Sequence, residues 1–217
     1  MYSALGWIIF LLGASAFGQE IPAFLTPGED TLQPEIREAR NRKFNVRLPF
    51  AMWEAGPNGI QRFSLVDREP IPEMPFDRVD TVVIGELVNR GVFFSADGKG
   101  LYTEDTIAVS EVVKARQGAA IYPQSRLVIL RPGGAGKMED QRIIRHEIRG
   151  YVIPAPKQHY LLFLTEDRPL DAYFARKFWR IDKGLLEPSF PEDARSSWAG
   201  KTVASLFTAW KSGAWRN

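Results

Sequence analysis

The sequence predicts a mainly β protein, built as a small antiparallel barrel or strongly curled sheet of five to six strands. Short apolar runs recur between Asp77 and Lys183, with turn residues between them. One pair of runs flanks Asp97-Gly98, a dipeptide typical of β-hairpins. Apolar residues at helical spacing occur near the end of the chain and predict a C-terminal amphipathic helix. A short helix is expected ahead of the strands.

Composition sets limits on function. The chain has 217 residues, 45% of them hydrophobic, which is enough to build a core. Its 28 basic and 26 acidic residues give a net charge of +2, too small to predict a nucleic-acid surface. The chain has no cysteine, which excludes disulfides, a thiol nucleophile and a cysteine-based metal site.

The first residues resemble an export signal. The stretch 4–17 is uncharged and largely apolar, and small residues at Ala14, Ala16 and Gly18 have cleavage spacing. We therefore expect a signal peptide at 1–18 and a periplasmic or secreted protein. An uncleaved membrane anchor is the alternative, although the run is shorter than the roughly 20 residues of a spanning helix.

A Pro-rich arm is expected at 19–76. Pro34 can open a short helix over 34–44, because proline is tolerated in a first helical turn. Its basic cluster of Arg40, Arg42 and Lys43 is typical of a solvated helix face. The Asn58-Gly59 turn predicts one short strand at 60–65.

The β domain is expected at 77–183. Its first strand, 79–88, has apolar residues on both faces and should be buried on both sides. It pairs with 101–113 in a long hairpin, and the connections are short enough to predict antiparallel pairing throughout. The remaining strands are predicted at 126–131, 141–148, 159–165 and 172–181.

A linker and a helix are expected at 184–217. Val203, Leu206, Phe207 and Trp210 form one apolar stripe, with Thr202 as N-cap and Gly213 as the stop. The stripe predicts a helix that packs on the β domain. A helix lying on a membrane surface is the alternative.

Two glycine-rich segments imitate phosphate-binding loops but lack essential residues. Gly133-Gly134-Ala135-Gly136-Lys137 precedes Met138, where such a loop needs Ser or Thr. Gly200-Lys201-Thr202 lacks the earlier glycine, because Arg195 stands there. We interpret them as a hairpin loop and a helix start.

Candidate ligand-binding residues are arginines on strands that could lie close together, and two aromatics that could form a contact surface or pack in the core. Such a group could bind an acidic glycan, a phosphate or a partner protein, although nearby carboxylates could also neutralise it as ordinary surface charge. The candidates are Arg142, Arg145, Arg149, Arg176, Arg180, Phe93 and Tyr102.

The two histidines predict no metal site and no cofactor. His146-Glu147 begins like a zinc-protease motif, but no histidine follows four residues later. His159 would approach His146 if their strands pair, and solvent-facing histidines are the default interpretation. No catalytic residues are predicted.

Four segments resemble a group of uncharacterised exported bacterial β-domain proteins. They are Asp80-Thr-Val-Val-Ile-Gly-Glu-Leu-Val88, the run from Gly100 to Lys114, Leu130-Arg-Pro-Gly-Gly134 and Tyr160-Leu-Leu-Phe-Leu164. The strand order is also similar to the OB-type barrel of netrin and metalloproteinase-inhibitor domains, which implies an OB-like fold. Those inhibitors bind the protease metal through an N-terminal cysteine, which this chain lacks.

The sequence therefore favours an exported, non-catalytic binding module of the cell envelope. Its partner would be an unknown envelope protein or a glycan, not nucleic acid, and no span would remain in the membrane after signal cleavage. The alternative is a hydrolase whose site is assembled from scattered residues, including His146 or His159.

We predict that the mature protein from its native host begins at Gln19, or at Phe17 by the alternative small-residue spacing. N-terminal sequencing of the envelope fraction checks this. Protein that retains Met1 in the membrane fraction would contradict it.

Overall fold

The computed structural model describes residues 31–45, 52–56, 59–65, 71–149 and 152–214. The predicted signal peptide at 1–18 lies outside these residues. The described residues form two α-helices and ten strands: α1 (Pro34–Lys43), β1 (Met52–Gly56), β2 (Gly59–Leu65), β3 (Thr81–Phe94), β4 (Leu101–Lys114), β5 (Arg126–Pro132), β6 (Gly134–Lys137), β7 (Ile143–Arg149), β8 (His159–Asp167), β9 (Ala172–Asp182), β10 (Leu185–Pro188) and α2 (Val203–Ser212).

A six-stranded sheet forms the centre of the fold, in the order β10-β9-β5-β4-β3-β8. β8 also pairs with β9, so that β3, β4, β5, β9 and β8 close a ring of hydrogen-bonded strands. The prediction of a mainly β fold with a helix towards each end is confirmed. Antiparallel pairing throughout is wrong, because β5 pairs with β9 in parallel, at Ile129↔Tyr173 and Leu130↔Phe174.

The β3–β4 hairpin was predicted correctly, and each of its strands has 14 residues. Three register shifts bend it, and one of them lies between Ile84 and Gly85. A side chain at position 85 would lie 2.7 Å from the carbonyl oxygen of Ala108, so glycine permits this close contact. The bends let a long hairpin curl far enough to join a closed ring.

The ring has an apolar layer on each side. The inner cluster receives side chains from all five ring strands, whereas the outer cluster lies against α2 and β10. Along β8 the pattern alternates, with Leu162 and Leu164 in the inner cluster and Leu161 and Phe163 in the outer one. Burial on both faces explains why β8 is almost continuously apolar.

Helix α2 docks on the outer layer, as predicted. The Thr202 hydroxyl accepts a hydrogen bond from the Ser205 N–H, and Gly213 ends the helix in the left-handed conformation at φ 78°. Leu206 is fully buried, and Trp210 stacks on Phe76 with ring centroids 4.8 Å apart.

Helix α1 packs through a charged residue. Arg40 is 1% exposed and donates to the carbonyl oxygens of Leu170 (2.8 Å) and Asp171 (2.6 Å), while its Nη1 lies 3.0 Å from Glu104. The prediction that Arg40 belongs to a solvated face is therefore wrong. The long side chain reaches backbone acceptors that a shorter residue could not satisfy.

A second sheet has the order β1-β2-β7-β6, with β2 and β7 parallel. The predicted loop at 133–137 contains strand β6, and the predicted strand β7 lies outside the ring. Gly133 adopts φ 78° and a Cβ there would lie 2.5 Å from the His146 carbonyl oxygen. This turn redirects the chain after β5, so the simple meander ends there.

No described helix is both long and apolar enough to cross a membrane.

We predict that Leu206→Ala lowers the free energy of unfolding by about 2–5 kcal/mol, since the side chain is fully buried among aromatic residues. Thermal unfolding measures the effect. Lys211→Ala, an exposed change on the same helix, should leave the melting temperature unchanged.

An unchanged melting temperature for Leu206→Ala would contradict docking of α2. Loss of liposome binding in that variant would instead support the membrane-surface alternative.

Candidate functional site

A cavity of about 460 Å³ opens into the ring between β5 and β9. Its apolar wall consists of members of the inner cluster: Ile107, Ile129, Leu162, Phe178 and Phe190. Asp105 and Arg131 also line it. It therefore combines an apolar wall with a few charged groups, as ligand cavities commonly do.

The cavity lies where the ring is least completely closed. β5 and β9 pair through only two residue pairs, whereas β8 and β9 pair along nine. A register shift follows Phe163 on β8, and the small side chain of Ala175 lines the cavity beyond it. Because the parallel β5–β9 pairing is this short, the cavity remains open between the two strands.

Asp105 brings three strands together. It lies on β4 in phase with Ile107 and Val109, and it is 1% exposed. One carboxylate oxygen accepts from Arg90 Nε on β3 at 2.5 Å, and the other accepts from Arg131 Nε on β5 at 2.9 Å. One buried carboxylate thus holds two guanidinium groups.

The two arginines differ in their remaining contacts. Arg90 also donates through Nη2 to the Pro154 carbonyl oxygen at 2.8 Å. Within the described part of the chain, the guanidinium of Arg131 donates only through Nε, to Asp105. Burial lowers the pKa of Arg131, and the attraction of Asp105 opposes this effect. Burial of Arg131 in the cavity wall therefore disfavours its charged form.

The rim of the cavity carries paired charges. Lys43 at the end of α1 lies 3.3 Å from Asp167. Glu166 lies 3.4 Å from both Arg116 and Arg168. Both rim acids are thus paired with cations.

The predicted arginine group is divided between two sheets. Arg142 and Arg145 are exposed near or on β7 and pair with Asp140 (2.6 Å) and Glu147 (3.5 Å). Arg149 ends β7, and its side chain lies outside the described residues. On β9, Arg180 pairs with Glu187 at 3.3 Å.

Arg176 is the predicted residue that the structure brings to the cavity. It lies on β9, lines the cavity, and donates from Nε to the Thr165 hydroxyl at 3.3 Å. None of the other described candidates contributes to this lining.

The two predicted aromatics contact helix α1. Tyr102 is fully buried and stacks on Phe44 and Phe93, with ring centroids 4.6 and 5.4 Å away. Its hydroxyl accepts from Arg37 at 2.7 Å and donates to Asn41 Oδ1 at 2.7 Å. Burial raises the pKa of Tyr102, so it stays neutral here. This pair holds α1 on the hairpin.

The histidines lie on strands of different sheets, so the pairing that would bring them together does not occur. His146 is 4% exposed, contrary to the solvent-facing interpretation, and its Nδ1 accepts from the Leu101 N–H at 3.4 Å. Burial follows from its strand β7, which covers the end of the hairpin beside Leu101. His159 is exposed at the start of β8.

Sequence reasoning missed Arg90, Asp105 and Arg131, although two of them carried a signal. Asp105 alternates in phase with Ile107 and Val109, and Arg131 with Leu127 and Ile129. A charged residue in phase with an apolar strand face indicates a buried charge with a partner.

Comparison with protein-family models finds no match, and comparison with curated proteins finds no significant match. The function is therefore inferred from the cavity and its charges.

We predict that Asp105→Asn destabilises the protein by about 3–5 kcal/mol, because it leaves Arg90 and Arg131 buried without their counter-charge. Urea unfolding measures the loss. Glu187→Gln breaks the exposed pair with Arg180 and should cost less than about 1 kcal/mol. Equal stability of the two variants would show that the cluster does not depend on Asp105.

Proposed function

We propose that the protein is an exported, non-catalytic binding module of the cell envelope, whose ligand occupies the cavity in the ring. The cavity carries this proposal. Its volume of about 460 Å³ lies within the range of small-molecule sites, and its wall is largely apolar. A ligand of matching size would gain affinity from the apolar surface that it buries there.

The chemistry of the lining supports binding rather than catalysis. Both oxygens of Asp105 accept hydrogen bonds from guanidinium groups, so the carboxylate is already engaged and is held in one orientation. Arginine remains protonated and does not act as a base. The deep polar groups therefore provide fixed charge, which orients a ligand.

Export to the envelope rests on the sequence alone. The apolar stretch 4–17 and the small residues before Gln19 support it. Residues 1–30 lie outside the described part of the chain.

We predict that a neutral apolar fluorophore, N-phenyl-1-naphthylamine, binds the purified protein with a rise in its emission. Ala175→Leu should weaken this binding about tenfold, because it adds volume to the cavity wall. Fluorescence titration measures both affinities, and thermal unfolding confirms that the variant is folded.

Ala204→Leu on the exposed side of α2 is the matched control and should leave binding unchanged. If the fluorophore does not bind, or if both variants bind like the wild type, the cavity is not the ligand site. Ester hydrolysis that is lost on His159→Ala would favour the hydrolase alternative.

A further inference from the structure

The cluster of Asp105, Arg90 and Arg131 carries one more positive than negative charge, and Asp105 and Arg131 line the cavity. Arg90 and Arg131 share the single carboxylate of Asp105, and each oxygen accepts from one of them. Arg131 is 8% exposed and lines the cavity. Its terminal guanidinium nitrogens donate to no side chain or carbonyl among the described residues. A ligand in the cavity therefore lies next to the buried guanidinium of Arg131. The carboxylate that pairs with this group, Asp105, also pairs with Arg90.

The terminal nitrogens of a guanidinium match the geometry of a carboxylate, which can accept from both of them. In an apolar interior such a pair attracts more strongly than in water. We propose that the ligand is an amphipathic monocarboxylic acid, with its carboxylate on Arg131 and its apolar body along Ile129, Leu162 and Phe178. This inference rests on the proposed function and specifies its ligand class.

The remaining lining favours this class over sugars. Hydroxyl groups of a glycan that face the apolar part of the wall would be buried without a hydrogen-bond partner, which is costly. A single negative charge at the deep end matches the single excess positive charge.

Octanoate and octanamide test the inference, because they have nearly the same shape and only octanoate is charged. Each compound is titrated into the protein with N-phenyl-1-naphthylamine bound. The fall in emission as the fluorophore is displaced gives the affinity of the compound. Octanoate should bind the wild type about ten- to one-hundred-fold more tightly than octanamide, the range expected for a hydrogen-bonded charge pair.

Arg131→Met should remove this preference, so that octanoate binds no more tightly than octanamide. Asp105 keeps Arg90 as its partner in this variant, so the remaining pair is neutral and the excess positive charge is removed. Arg126→Met is the matched control, since Arg126 is exposed on the same strand, and it should retain the preference.

Equal affinity of the wild type for octanoate and octanamide would overturn the inference, even if Arg131→Met fails to fold. Retention of the preference in Arg131→Met would overturn it as well. In both cases, binding of the fluorophore would still support the cavity as the ligand site. Failure of the fluorophore to bind would instead contradict the proposed function.

Discussion

The carboxylate of Asp105 is the constraint on which the ring depends. It joins β4 to β3 through Arg90 and to β5 through Arg131, and Arg90 extends the cluster to Pro154 in the loop before β8. A shift of β4 by one residue would move this carboxylate to the other face and leave both arginines buried without it. The cluster therefore specifies strand register as well as charge, and it lies beside the cavity at the short β5–β9 pairing.

The two faces of the ring strands have separate roles. Outward side chains such as Leu161, Phe163 and Trp179 pack beneath α2 and hold the fold together. Inward side chains such as Leu162 and Phe178 form the core and also line the cavity. Because successive residues of one strand serve different layers, a ligand can contact the inner layer without disturbing the packing of the helix.

Local patterns were sufficient to predict much of the fold. The β3–β4 hairpin follows from alternation around Asp97-Gly98, and α2 follows from its apolar stripe between Thr202 and Gly213. The parallel β5–β9 joint could not be predicted in this way, because it pairs residues more than 40 positions apart, Ile129 with Tyr173. The candidate site was harder still, since it combines Arg131 and Phe178 from strands that are distant in sequence. The contacts of Tyr102 with α1 could not be predicted either, because Arg37 and Asn41 are distant from it in sequence.

The short β5–β9 joint also has a consequence for the order of folding. The β3–β4 and β8–β9 pairs connect segments that are close in sequence, so each can form early as a separate hairpin. The β3–β8 pairing joins the two hairpins, but closing the ring also requires contacts across the residues between β5 and β9, which include the whole of β6, β7 and β8. Chain entropy opposes that closure, and only two residue pairs compensate for it at the joint itself. We therefore expect ring closure to be a late step in folding, and side chains at this joint to affect the unfolding rate more than the folding rate.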